Sequence, residues 1–188
     1  MQKVAQIITK AIQRENVNLT ELQVKTIQFG LECLLGELFK IIIYLMIFSM
    51  FSLTQYFIIT MFFFSTLRLI AGGYHAKTYW GCFFVTLLIF GAVVGIGVQF
   101  PLPLYVRVLT ILVSLILVWI YAPLDHPNKP IISEVRRKRF KYLSVMLAVL
   151  LSGVSFFLPS LQSGTAVVAI LFESISLPVG KITQRRRF

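Results

Sequence analysis

Long apolar stretches, separated by short polar or proline-containing turns, dominate the chain after residue 34. We place six of them, at about 35–53, 55–71, 79–100, 102–122, 142–158 and 164–180. A transmembrane helix needs about 17–25 apolar residues, so the third and fourth stretches are comfortably long, and the second, fifth and sixth lie near the lower limit. The pattern predicts an all-α, polytopic membrane helical bundle with about six transmembrane helices.

The first 34 residues have an amphipathic pattern instead. Their apolar residues recur at helical spacing, at Val4, Ile7, Ile8, Ala11 and Ile12. Asn18 or Thr20 would cap a second helix. We therefore predict amphipathic membrane-surface helices in 1–34, a six-helix transmembrane domain in 35–180 and a basic tail in 181–188; a solvated helical hairpin is the alternative for the first part.

Composition and charge support a membrane protein. The chain is 57% hydrophobic and 13% charged, whereas about a quarter of the residues in soluble domains are charged. A net charge of +11 often indicates nucleic-acid binding, but here the basic residues cluster in 1–25, 129–141 and 181–187, with apolar runs between them. In a membrane protein this distribution indicates orientation and binding to anionic membrane lipid, so no nucleic-acid partner is predicted.

The connections between the predicted spans differ in charge. Those after spans one, three and five contain no Lys or Arg. The opposite side receives the N-terminal region, the 72–78 connection, the 123–141 loop and the tail. By the positive-inside rule, both termini and these basic segments lie on the cytoplasmic side of the cell membrane.

Ionisable residues inside the spans are the first candidates for function, because a charge in the bilayer is costly. Glu37 and Lys40 lie three residues apart in span one, Arg68 lies near the end of span two, and Glu173 lies in span six. Glu37 or Glu173 would pair with Arg68. The alternative to a functional role is a buried ion pair that holds helices in register.

The segment from Arg68 to Cys82 carries the most informative chemistry. Gly72 and Gly73 allow a tight reversal, and His75 follows them. A cysteine nucleophile needs a base such as histidine within hydrogen-bond reach. Two turns of continuous helix would separate their Cα atoms by about 10 Å, so the reversal must fold His75 back toward Cys82. Taken alone, the pair is better explained by an interfacial histidine and a small apolar cysteine than by catalysis.

The other cysteine and the other histidine give weaker evidence of function, and the sequence has no clear metal-binding motif. Cys33 has no histidine nearby, and His126 lies in a turn-like Asp-His-Pro segment, although it remains a candidate second base. The chain has no CxxC motif and no His–Cys cluster with zinc spacing. No metal or cofactor is therefore predicted.

The spacing Arg68…Gly72-Gly73-x-His75-x₆-Cys82 resembles the AgrB family of accessory gene regulator membrane endopeptidases. The segment 122–131, the basic run after it, the length and the amphipathic N-terminus are also similar to that family, so the resemblance covers essentially the whole chain. It implies a bacterial membrane cysteine endopeptidase. Such an enzyme cleaves the C-terminal part of a quorum-sensing propeptide and promotes its cyclisation, through an acyl-enzyme thioester, to a thiolactone or lactone.

The resemblance also implies roles and partners. His75 becomes the base, Cys82 the nucleophile, and Arg68, Gly72 and Gly73 the support of the site. An AgrD-like propeptide is the expected partner and a homodimer the expected assembly. Candidate substrate-binding residues, several of which would hold the acidic tail of the propeptide, are Lys129, Arg136, Arg137, Lys138, Arg139, Glu37 and Glu173. The rival interpretations are a non-enzymatic peptide exporter, a small membrane transporter and a structural subunit.

Overall fold

The computed structural model describes residues 2–15, 19–74, 76, 78–124 and 133–185, and these residues contain helices but no strand. The helices, in chain order, are α1 (Gln2–Glu15), α2 (Glu21–Met50), α3 (Thr54–Ala71), α4 (Tyr79–Gln99), α5 (Leu104–Tyr121), α6 (Glu134–Ser155) and α7 (Ser160–Arg185). The predicted all-α fold is confirmed. The chain divides into two compact units, Met1–Ser52 with α1 and α2, and Leu53–Phe188 with α3 to α7.

Five of these helices, namely α2, α3, α4, α5 and α7, are long and apolar enough to cross a membrane. The remaining predicted span, 142–158, falls on the C-terminal part of α6, whose first two turns are strongly basic. The chain is therefore a multi-pass membrane protein, as its apolar pattern predicted. The bilayer core contains no water that could bond to unpaired backbone N–H and C=O groups. In a continuous helix these groups are hydrogen-bonded to one another.

In the first unit, α1 packs against α2, and the predicted cap at Thr20 is confirmed. The Gln23 side chain accepts the Thr20 N–H at 2.9 Å, and the Thr20 hydroxyl accepts the Gln23 N–H at 3.4 Å. Asn18, the other predicted cap, lies outside the described residues. The helix α2 then runs unbroken to Met50, so the predicted second amphipathic helix and the first span form one helix. No proline interrupts this stretch.

In the second unit, α7 packs against α3, α4, α5 and α6. Its residues 163–170 are all buried, so the helix is enclosed on every side. Small residues allow this close packing: a Cβ on Gly97 of α4 would collide with the backbone and hydroxyl of Thr165 in α7. Large apolar side chains on the outer face of α5 are exposed, as lipid-facing residues must be, including Leu109, Leu112, Ile116 and Ile120.

The basic loop and tail differ from the prediction. Instead of a loop over the whole of 123–141, helix α6 begins at Glu134, and the Ser133 hydroxyl accepts the Arg136 N–H at 3.5 Å as its cap. Residues 181–185 of the predicted tail likewise belong to α7. Arg and Lys are good helix formers, and the positive-inside count says nothing about whether a basic segment is helical.

Candidate functional site

The connection between α3 and α4 begins with a reversal that needs glycine. Gly72 has a φ of 79°, in the left-handed region that favours glycine. A Cβ at this position would also collide with the carbonyl oxygen of Leu124. Because the Leu124 N–H donates to the Ala71 carbonyl at 2.9 Å, the segment that follows α5 is fastened to this reversal.

Gly73 lets the backbone approach a cluster of polar side chains. A Cβ there would lie 2.5 Å from Arg68 Nη1, 2.7 Å from Ser176 Oγ and 2.8 Å from Glu173 Oε1. Real Cβ atoms do not come so close to heavy atoms, so a larger residue would push the reversal away from α3 and α7. The two glycines are thus required for different reasons, the first by backbone conformation and the second by packing.

Arg68 connects α3, α7 and the reversal. Its Nη1 atom lies 3.1 Å from Glu173 Oε2 and 3.5 Å from Ser176 Oγ. Its Nη2 atom donates to the carbonyl of Tyr74, and its guanidinium carbon lies 5.5 Å from the centroid of the Phe64 ring. A single side chain therefore holds the backbone immediately before His75.

Of the two carboxylates considered for Arg68, Glu173 is the one that pairs with it. Glu173 is fully buried, and its Oε1 atom has no hydrogen-bond partner among the described residues. Glu37 pairs within its own helix, with Oε1 2.6 Å from Lys40 Nζ. Burying a carboxylate with one unpaired oxygen costs free energy, which is a reason to look for a role at Glu173 beyond helix packing.

Cys82 lies in the first turns of α4, which starts at a well-formed cap. The Thr78 hydroxyl accepts the Gly81 N–H at 3.0 Å, and the Cys82 N–H donates to the Thr78 carbonyl at 2.9 Å. The Cys82 side chain is half-buried and carries a thiol rather than a disulfide sulfur. This cap fixes the cysteine close to the reversal.

A small cavity of about 20 Å³ brings these elements together; its lining comprises Phe64, Arg68, Tyr74, Ala76, Cys82, Val85, Thr86, Ile89 and Ser176. His75 lies outside the described residues. Its neighbours on both sides, Tyr74 and Ala76, nevertheless line the cavity together with Cys82. Sequence reasoning missed Ser176, although its position three residues after Glu173, on the same helical face, was a usable signal.

A second and much larger cavity, of about 700 Å³, lies where α5 and α7 end and α6 begins. Two candidate substrate-binding residues, Arg137 and Lys138, line it with Glu134, Lys141 and Lys181, and so does Leu124. The exposed side chains of Arg136 and Arg139 lie on the same helix but are not part of this lining.

Four candidates remain. Lys129 and His126 lie outside the described residues. Cys33 is exposed on α2, in the first unit, and Glu37 belongs to the same helix.

The comparisons with known proteins agree with the resemblance in the sequence. The family model described as accessory gene regulator B matches residues 2–177. An accessory gene regulator protein B from Staphylococcus aureus (strain bovine RF122 / ET3-1) is 31% identical over 171 residues, which cover 88% of each chain. A putative AgrB-like protein from Clostridium beijerinckii is 27% identical over 169 residues, covering 89% of this chain and 83% of the relative. No solved structure matches.

This match to the family model covers nearly the whole chain, and the relatives are similar over most of their own length. Membership implies a part in processing a quorum-sensing autoinducer, in a system that includes an AgrD-like propeptide. The chain belongs to the accessory gene regulator B family of multi-pass membrane proteins.

Proposed function

We propose that this protein is a membrane-embedded cysteine endopeptidase that cleaves an AgrD-like propeptide and promotes its cyclisation. Cys82 is the nucleophile and His75 the general base. The observation that carries the proposal is that Tyr74 and Ala76, the two neighbours of His75, line the same small cavity as Cys82. The proposal requires the imidazole to come within hydrogen-bond reach of the sulfur.

In the first step, the thiolate of Cys82 attacks a peptide carbonyl at the C-terminal end of the future signal segment. His75 takes the proton from the thiol and then gives it to the leaving amine. The carbon–nitrogen bond breaks, the C-terminal fragment leaves, and a thioester joins Cys82 to the remaining peptide. Cys82 belongs to the first turn of α4, and the partial positive charge at that end of the helix favours the negative charge that develops.

In the second step, a Cys or Ser side chain of the bound peptide attacks the thioester carbonyl. The new thiolactone or lactone bond forms as the bond to Cys82 breaks, and the enzyme thiol is regenerated. Exchange between two thioesters changes the free energy little, so removal of the product would drive the step. A site at the membrane boundary limits access of water, which would otherwise hydrolyse the acyl-enzyme.

Arg68 and Glu173 are positioning residues in this proposal. Arg68 is held by Glu173 at 3.1 Å and donates to the carbonyl of Tyr74. Their proposed role is to hold the Tyr74 carbonyl, and so the backbone from which His75 continues, close to the cavity that Cys82 lines. Gly72 and Gly73 permit the approach of the backbone that this arrangement requires.

Basic residues around the start of α6 are proposed to bind the acidic tail of the propeptide. Four of them, Arg136, Arg137, Lys138 and Arg139, are exposed on α6, and Lys129 precedes that helix in sequence. We place these residues, the site and both chain ends on the cytoplasmic side, as the distribution of Lys and Arg indicates. This placement requires α6 to cross the membrane in addition to the five apolar helices, because both ends lie on one side only when the number of crossings is even.

The test is cleavage of a co-expressed AgrD-like propeptide, followed by mass spectrometry of both fragments. We expect Cys82→Ala and His75→Ala to abolish cleavage. Cys33→Ala and His126→Ala, the matched controls, should retain it. Loss of cleavage in Cys33→Ala with retention in Cys82→Ala would contradict the assignment. Release of intact propeptide from cells carrying the Cys82→Ala variant would support an exporter instead.

A further inference from the structure

The large cavity at the end of α5 has an unusual concentration of positive charge. Four cationic side chains line it, and Glu134 supplies the one carboxylate among the lining residues that the structure describes; the four cations are Arg137, Lys138, Lys141 and Lys181. Three of them, the lysines, form no ion pair with any residue that the structure describes. A cavity of about 700 Å³ with this lining has the charge and the room for an anionic group.

Two of these lysines are held by aromatic rings of α5. Lys141 Nζ lies 4.8 Å from the centroid of the Trp119 ring, and Lys181 Nζ lies 5.3 Å from that of Tyr121. Cation–π contacts orient an ammonium group without neutralising it. The lysines of α6 and α7 are therefore positioned at the end of α5 with their charge still available.

The placement of the α6 cations works against the stability of that helix. Residues 136–139 are all basic and occupy its first turns, where the helix dipole already contributes positive charge. Arg137 and Lys141 are four residues apart, at a spacing where like charges repel. The helix dipole and the repulsion between these side chains both destabilise the start of α6 when the cavity is empty. An anion bound in the cavity would reduce both effects.

The surroundings of the cavity identify the kind of anion. Ile120 lines it and is 56% exposed, and Trp119 beside it and Ile116 one turn earlier are also exposed on the outer face of α5. This helix is a membrane span that ends at Tyr121. Aromatic residues with nearby lysines are typical of the level at which lipid headgroups lie. Apolar surface for acyl chains is therefore continuous with basic surface for a phosphate.

We propose that this cavity is a binding site for the headgroup of an anionic phospholipid, with the phosphate between Lys141 and Lys181 and the acyl chains along Ile116 and Ile120. The proposal does not rest on the peptidase function. An acidic peptide is the alternative occupant. A peptide, however, would not need the apolar surface of α5 that lies next to the basic residues at the level of the membrane.

Fluorescence of Trp119 provides the test. In full-length protein carrying Trp80→Phe, Trp119 is the sole remaining tryptophan. The protein is reconstituted in vesicles of phosphatidylcholine with increasing brominated phosphatidylglycerol, and separately with brominated phosphatidylcholine. We expect stronger quenching by the anionic lipid. Its relative binding constant should fall about fivefold in Lys141→Gln or Lys181→Gln and about thirtyfold in the double variant.

The control is Arg136→Gln/Arg139→Gln, which removes two positive charges, as the double lysine variant does, but takes both from α6 and leaves the cavity lining unchanged. We expect this pair to alter lipid preference less than threefold. Lys141→Arg/Lys181→Arg should restore the preference. Cys82→Ala should bind lipid normally, so failure of the lipid site and failure of the peptidase assignment are separate results.

Three outcomes would overturn the proposal. The first is equal quenching by both lipids, and the second is an equal loss in the control pair, which would indicate general attraction to an anionic surface. The third is relief of the quenching by a glutamate-rich peptide, or by inorganic phosphate, at a lower concentration than unbrominated phosphatidylglycerol requires. That result would assign the cavity to a peptide or to a free anion.

Discussion

The ion pair between Arg68 and Glu173 allows stability and catalysis to be tested separately. Glu173→Gln removes the negative charge and leaves Arg68 without its partner. Removing one member of a buried pair costs about 3–5 kcal/mol. Since Arg68 is 21% exposed and Glu173 is fully buried, we expect a value near the lower end, about 3 kcal/mol. In a chain of this size that lowers the melting temperature by roughly 6–12 °C.

The informative variant is the double substitution Arg68→Met/Glu173→Leu. Replacing both members of a buried pair by apolar residues is often neutral or stabilising, so its melting temperature should return close to that of the unmodified protein. Cleavage should not return, because no side chain then donates to the Tyr74 carbonyl. A displacement of about 1 Å at a reacting group costs on the order of 100-fold in rate.

The assay combines thermal unfolding in detergent with the rate of propeptide cleavage in vesicles, measured as kcat and KM. We expect Glu173→Gln to reduce both stability and kcat, and the double variant to restore stability alone. If the double variant regained both, the pair would only hold helices together. An unchanged kcat in folded Glu173→Gln would refute the positioning role directly.

Three further predictions follow from the glycines and from the proposed base. Gly73→Ala should reduce cleavage at least tenfold, whereas Gly91→Ala, with nothing within 4 Å of its added Cβ, should retain it; equal rates would show that the reversal tolerates a side chain. Gly97→Ala should lower the melting temperature, because its Cβ collides with α7. Gly95→Ala, two residues earlier in open space, should not lower it, and equal melting temperatures would contradict the packing described. The cleavage rate should fall as the pH drops below about 6.5, where imidazole in general becomes protonated and can no longer accept the thiol proton. A rate that is flat down to pH 5 would argue against a histidine base.

The spans between residues 54 and 121 could be placed closely from the sequence, because the boundaries of their apolar runs are clear. Predicted stretches 55–71 and 79–100 correspond to Thr54–Ala71 and Tyr79–Gln99. Glycines and polar residues at the ends of an apolar run are strong signals for where a membrane helix stops. The boundary at residue 34 does not coincide with a helix end, because a change in polarity does not end a helix.

Only part of the chemistry of the site could be predicted from the sequence. The sequence identified Arg68 and two candidate carboxylates, but the choice of Glu173 depends on α7 passing beside α3, which no local pattern specifies. The requirement for Gly73 also comes from α7, whose Glu173 and Ser176 crowd the position of its missing Cβ. The pairing of His75 with Cys82 stays a prediction, which the variants above test.

Leu124 connects two parts of the protein that otherwise have separate chemistry. Its backbone N–H is bonded to Ala71 and its carbonyl fills the space beside Gly72, while the residue also lines the basic cavity. The lipid headgroup proposed for that cavity would therefore lie next to the same residue that supports the reversal before His75. The lipid composition of the surrounding bilayer would then influence the rate of peptide cleavage through Leu124.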